Sequence, residues 1–155
     1  MMLMTSPTVC GLPEHSAETV VFGVVMDMNL PNGEVMTMTT FCDGNITLRY
    51  SIGSYEDEDD APHRAVTEAG LALVAAAPQR LGVMRRTEDF PFPRQGQVSL
   101  FVLTTRGVFG ATRSVARLQA GRDRLSSLYA AARRAIAAFR QANGPRAGHE
   151  RRVPY

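Results

Sequence analysis

Hydrophobic positions along this chain change period several times, and each change marks an element. Residues 19–28, Thr-Val-Val-Phe-Gly-Val-Val-Met-Asp-Met, form a nearly unbroken β-branched and apolar run, which predicts a central strand covered on most of both faces. Pro31-Asn32-Gly33 follows and suits a three-residue hairpin loop, with Pro setting the first turn position and Gly taking the left-handed one. A second strand is expected over residues 34–42. After Asp43-Gly44-Asn45, a third alternates apolar Ile46, Leu48, Tyr50 and Ile52 with polar Thr47, Arg49 and Ser51.

The loops fix a register. A three-residue first loop sets Leu30 opposite Glu34, and so Met28 opposite Met36 and Met26 opposite Met38. At the second loop, a two-residue Asp43-Gly44 turn would send Ile46, Leu48 and Tyr50 to the opposite side from these methionines. A three-residue loop with Asn45 left-handed keeps them together. Burial favours the latter, since each large side chain taken out of water is worth about 1.5–3 kcal/mol. One face then carries Phe22, Val24, the four methionines, Cys42, Ile46, Leu48, Tyr50 and Ile52. The other carries Val21, Val25, Asp27, Val35, Thr37, Thr39, Phe41, Thr47, Arg49 and Ser51. That second face is half apolar and rich in hydroxyls, which predicts partial coverage by a second subunit.

The acidic run Glu56-Asp57-Glu58-Asp59-Asp60 reads as a loop entering a helix, with Asp60 as N-cap and Pro62 in the first turn. Its spacing does not match a calcium loop. The helix is expected over residues 62–77, with Val66, Gly70, Leu73 and Ala77 as its inward stripe, and Pro78 and Gly82 as stop signals. Residues 83–97 look irregular, and Phe90 and Phe92 of the Phe-Pro-Phe-Pro segment are expected to tuck under the sheet edge. Residues 98–104 and 108–115 predict a second hairpin with Gly107 at its turn. The closing helix buries Leu125, Leu128, Ala132, Ile136 and Phe139 and stops at Asn143-Gly144-Pro145.

These elements predict an α+β fold: an antiparallel sheet of about five strands in the order β-β-β-α-β-β-α, with both helices on the methionine face. The expected organisation is a flexible arm over residues 1–18, one domain over residues 19–143, and a disordered Arg-containing tail over residues 144–155. A length of 155 residues with 45% hydrophobic positions suits one such core, burying roughly 70% of the unfolded chain's surface. No apolar stretch reaches the roughly 18 residues that cross a bilayer.

Composition adds three points. Every one of the 17 basic residues is Arg, which fits codon bias in a GC-rich bacterial gene. The net charge of +2 hides an asymmetry: residues 1–62 hold ten acids against Arg49, for −9, and the remainder holds five acids against sixteen Arg, for +11. A dipolar molecule of this kind suits self-association. With two cysteines, Cys10 and Cys42, and no charged-then-apolar secretory leader, a cytoplasmic protein with reduced thiols is expected.

Candidate chemistry is thin. Cys42 with His63 lacks a third group to orient the imidazole. Thioether clusters bind Cu(I), but strand methionines with a buried face behind them read as core, so no metal or other cofactor is expected. Arg146, Arg151 and Arg152 lack the interleaved aromatics of nucleic-acid binders, so nucleic acid is not expected either.

The segments Phe22-Gly23-Val24-Val25-Met26, Asp43-Gly44, Asp89-Phe90-Pro91-Phe92-Pro93, Val102-Leu103-Thr104 with Gly107-Val108, and Leu125-Ser126-Ser127-Leu128-Tyr129 resemble a small group of bacterial proteins with no assigned activity. At fold level the element order is similar to roadblock and longin-like domains, although a helix before the first strand is lacking and the strand over residues 46–52 is extra. That likeness implies a non-catalytic dimerising module. The expected function is therefore a non-catalytic cytoplasmic interaction or regulatory domain, acting as a homodimer through an edge strand or through the exposed sheet face that carries Thr39, Phe41 and Arg49, with an unidentified protein as a further partner. The alternative is an anionic-ligand-binding domain or small enzyme, with a pocket between the sheet and residues 83–97 and Arg85, Arg86 or Arg94 holding the anion.

Overall fold

In the computed structural model, which describes residues 19–51, 54–57, 63–143 and 151–152, the apolar run becomes β1 (Val21–Asn29). Eight of its nine residues are buried because it lies at the middle of the sheet, with helices on one side and a crossing loop on the other. The other expected strands are β2 (Val35–Phe41), β3 (Ile46–Tyr50), β6 (Gln97–Thr104) and β7 (Gly107–Ser114). Three short strands extend the edges: β4 (Ser54–Asp57), β5 (Arg85–Thr87) and β8 (Arg151–Arg152). The sheet is antiparallel throughout, in the order β5-β7-β6-β1-β2-β3-β4-β8.

Three helices connect and cover it: α1 (Arg64–Ala76), the short α2 (Val115–Gln119) and α3 (Ser126–Ala142). Val66, Leu73 and Ala77 at the first helix and Leu128, Ala132, Ile136 and Phe139 of α3 meet Met26, Met36, Met38 and Leu48 in one core. The fold is thus α+β, with both long helices on the methionine face.

The first hairpin follows its turn chemistry. Met28 pairs with Met36 and Met26 with Met38; Gly33 sits at φ +88°, and its N–H donates to the Leu30 carbonyl at 2.9 Å.

Several expectations need correction. At the second loop Ile46 pairs with Thr40, so the three loop residues are Cys42, Asp43 and Gly44, and Gly44 rather than Asn45 is left-handed, at φ +80°. Ile46, Leu48 and Tyr50 keep the methionine face, but Cys42 leaves it. A β-bulge between Val21 and Gly23 also reverses the start of β1. Val21 enters the helix-covered core and Phe22 packs on the opposite face.

Helix α1 begins at Arg64 with His63 as N-cap, and part of the acidic loop is β4; Asp60 and Pro62 lie outside the described residues. Pro78 opens a 3-10 turn over Pro78–Val83. Part of the expected irregular segment 83–97 pairs with β7 as β5. The C-terminal residues Arg151 and Arg152 pair with Tyr55 and Ser54.

Candidate functional site: the sheet face opposite the helices

On the face away from α1 and α3, alternation and register build two patches. One is apolar: Phe22, Val25, Phe101 and Leu103 are buried together, joined by the partly buried Phe41, Cys42, Phe90 and Val108. Gly23 makes this patch possible, because a Cβ there would lie 2.9 Å from Leu103 Cδ1 and 3.0 Å from Phe41 Cδ1. The Phe41 ring rests in that gap. Phe90 closes the patch from outside, with its ring edge-on to Phe101 at 5.3 Å between centroids.

The second patch is a polar row crossing five strands. Arg49 of β3 pairs with Thr37 of β2, Thr37 with Asp27 of β1, Asp27 with Ser99 of β6, and Ser99 with Thr112 of β7. Thr37 Oγ1 donates to Asp27 Oδ1 at 2.5 Å, and the Ser99 and Thr112 hydroxyls share a hydrogen bond at 2.8 Å. Asp27 is fully buried, and burial raises its carboxyl above the ordinary value, an effect only partly opposed by the Thr37 bond. Its Oδ2 has no hydrogen-bond partner, and neither does Oδ1 of Asn29, two residues along the same face. Asn29 spends its Nδ2 on the Pro93 carbonyl at 3.1 Å, which straps the loop before β6 across the sheet.

The residues singled out from sequence fall as follows. Thr39 and Arg49 lie on this face, Arg49 exposed and Thr39 half-buried. Phe41 shares the face but belongs to the apolar patch. Arg85 and Arg86 are exposed neighbours on β5 and so project to opposite faces, while Arg94 is exposed beyond Pro93. Arg85 and Arg86 therefore do not converge on one point. Phe90 tucks under as expected, but Phe92 is 59% exposed.

Asp27 joins the site beyond the residues expected from sequence, and the signal that marks it is a lone carboxylate in a nine-residue apolar strand. Cys42, expected as a reduced thiol, is disulfide-bonded; the chain's other cysteine is Cys10, outside the described residues.

On the helix side, Met26 and Met38 are sealed in the core. Arg140 Nη2 lies 3.5 Å from Met36 Sδ and 3.4 Å from Tyr50 Oη, and Arg133 Nη1 lies 3.8 Å from Met28 Sδ. Cations thus face the two peripheral sulfurs. Among the described residues no cluster of three or more His, Cys, Asp or Glu could hold a metal ion, and no helix is long and apolar enough to cross a membrane.

Comparison with family models, curated proteins and solved structures gives no match.

Proposed function

We propose that this chain is a non-catalytic cytoplasmic interaction domain that pairs with a second copy of itself through the far face of β2 and β3. The observation that carries this reading is the strip Thr37, Thr39, Thr47 and Arg49. It borders a second apolar patch on the face that α1 and α3 leave uncovered. Antiparallel sheets tolerate one wet face, but one with aromatics beside short hydroxyls has the mixed apolar and polar make-up of an interface. Charge favours a two-fold partner: Arg49 is the cation of the strip, and Glu34 and Asp43 stand just beyond the two ends of β2. An antiparallel copy would set each Arg49 near the other's acids.

The alternative anion site has less support. Phe90 and Pro93 occupy the space between the sheet and the crossing segment, and Arg85 and Arg86 diverge.

Analytical ultracentrifugation of the full chain under reducing conditions tests the dimer. A concentration-dependent dimer that Thr39→Arg or Arg49→Glu weakens at least tenfold supports it. A monomer at all concentrations up to hundreds of micromolar ends it. Phe41→Asp is a poorer probe, because Phe41 packs over Gly23 and Leu103.

A further inference from the structure

Residues 88–96, between β5 and β6, form a strap across the far face, and the contacts that hold it bracket Asp27. Phe90 sets its ring edge-on to Phe101, whose strand partner is Val25, and the Pro93 carbonyl accepts from Asn29 Nδ2 at 3.1 Å. Val25, Asp27 and Asn29 alternate onto one face of β1, so the strap runs over the carboxyl between the other two, and Asp27 is fully buried. Both ends of the strap are tied. The Thr87 hydroxyl bonds the Asp89 backbone, and the Gln97 N–H donates to the Arg94 carbonyl at 3.0 Å. The middle cannot pair as a strand, because Pro91 and Pro93 have no N–H. Among the described residues, it is the Phe90 ring and the Asn29 amide that hold it to the sheet.

Two buried acceptors on this face have no donor, Asp27 Oδ2 and Asn29 Oδ1. They belong to same-face neighbours whose Cα atoms lie about 7 Å apart at strand rise, a span that two side chains leaning together close. The Pro93 bond sets the Asn29 amide: turned over, it would put Oδ1 against a carbonyl that cannot donate. Asp27 Oδ1 already accepts from the Thr37 hydroxyl, and Ser99, opposite on β6, shares its hydroxyl with Thr112. An ionised Asp27 would draw Asn29 Nδ2 to itself, since a charge-assisted bond is roughly twice as strong as one to a neutral carbonyl. The amide turned to Pro93 instead is the arrangement that suits an uncharged carboxyl.

We propose that Asp27 and Asn29 form a proton-operated latch on this strap. With Asp27 protonated, its Oδ2–H donates to Asn29 Oδ1, and Asn29 Nδ2 holds Pro93. When the proton leaves to solvent, the Asn29 amide turns, Nδ2 bonds the carboxylate, and the Pro93 carbonyl is released. The strap, held in its middle by the Phe90 ring alone, then opens more often from the apolar patch of Phe22, Val25, Phe101 and Leu103. Burial favours the proton on Asp27, and the Thr37 bond opposes it in part. Neither β2 nor β6 carries a charged side chain; the charged groups around them are Arg49 on β3 and Glu88, Asp89 and Arg94 on the strap, all exposed. The latch is therefore closed on the acid side and opens as pH rises. It stands whether or not a second copy pairs with the neighbouring strip.

The experiment titrates the full chain by NMR from pH 4 to pH 8 and reads three signals: the Asp27 carboxyl carbon, the Asn29 side-chain amide, and the NOE between the Phe90 and Phe101 rings. Asp27 should titrate above the ordinary carboxylate range, and at the same midpoint the Asn29 amide should shift and the ring NOE should weaken about twofold or more. An Asp27 that is ionised throughout, or one that titrates while the amide and the rings stay unchanged, would overturn the latch. Two variants locate the switch. Asp27→Asn supplies a donor to Asn29 Oδ1 at every pH and should hold the ring NOE constant. Asn29→Ala loses both bonds and should show the weakened NOE even at pH 4. A ring NOE that still falls with pH in Asp27→Asn, or one at full strength in Asn29→Ala, would show that the strap is held by other means and reject the proposal.

Discussion

Thr37 donates to one carboxylate oxygen of Asp27 across the β1–β2 ladder, and the other oxygen of that carboxylate has no hydrogen-bond partner. An apolar central strand thus contains an acid that is only half satisfied. Burial is the largest influence on it and pushes its pKa up. Between the unfolded and folded values the folded chain binds the proton more tightly, so this group's contribution to stability is greatest on the acid side. It falls as pH rises through the folded value and is level above it. The facing groups are Thr37 and Ser99, with Arg49 one strand further out.

Asp27→Asn keeps the shape and removes the charge. Relative to the wild type, the variant should gain on the order of 1–3 kcal/mol between pH 4 and pH 8, the scale of an unsatisfied buried polar group. Urea unfolding of both proteins across that range measures the difference. A gap that does not change with pH would mean that the carboxylate is hydrated in the native state.

Gly70 makes a second, sign-reversing test. Replacing a helical glycine by alanine ordinarily stabilises by about 1 kcal/mol. Here a Cβ would lie 2.5 Å from the Gly44 carbonyl oxygen and 2.9 Å from Thr40 Oγ1. The nearer of these is backbone of the β2–β3 turn, so α1 must move away from the sheet. Gly70→Ala should therefore cost about 1–2 kcal/mol net, read as a lower urea midpoint with unchanged slope. A stabilised variant would show that the helix does not approach the turn this closely.

The same contacts show how far local sequence goes. Pro31-Asn32-Gly33 fixes its own loop, so the pairing of Met26 with Met38 follows from sequence alone. The stripes of α1 and α3 are legible because four or five inward positions repeat at helical spacing. Strands β5 and β8, of three and two residues, carry no period and exist only because β7 and β4 offer open edges. The reversal of Phe22 depends on a bulge against β6, a partner some eighty residues away. The polar row is legible residue by residue but not as a row, since it needs strand order β7-β6-β1-β2-β3, which alternation does not supply.

Met26 and Met38 face each other at the centre of the helix-covered core, and both are fully buried. Truncating either to alanine should cost about 2–5 kcal/mol, from lost transfer energy and the cavity left behind. Met→Leu at the same position conserves volume and should cost less than about 1.5 kcal/mol. Paired denaturation curves check both. Equal, small effects from Ala and Leu would mean that the sulfurs lie outside the packed layer.

Asp123 joins three elements at the start of α3, and its loss separates capping from charge. One carboxylate oxygen accepts from the Leu125 N–H at 2.9 Å, and the other meets Arg113 Nε at 3.2 Å; the Asp123 side chain is only 7% exposed. Arg113 in turn donates to the Val83 carbonyl, so the pair links β7 to the 3-10 turn after α1. Asp123→Ala removes both interactions and should cost about 1–3 kcal/mol, combining a lost helix-start acceptor with a partly desolvated guanidinium left unpaired. Asp123→Asn retains the acceptor for Leu125 and loses only the charge. Its cost should be about half that of alanine and should shrink in 1 M NaCl, where the ion pair is screened. If the two substitutions prove equally costly at every salt concentration, the acceptor contributes nothing and the ion pair is not what salt would weaken. The start of α3 would then be held by the Leu125 and Leu128 side chains in the core.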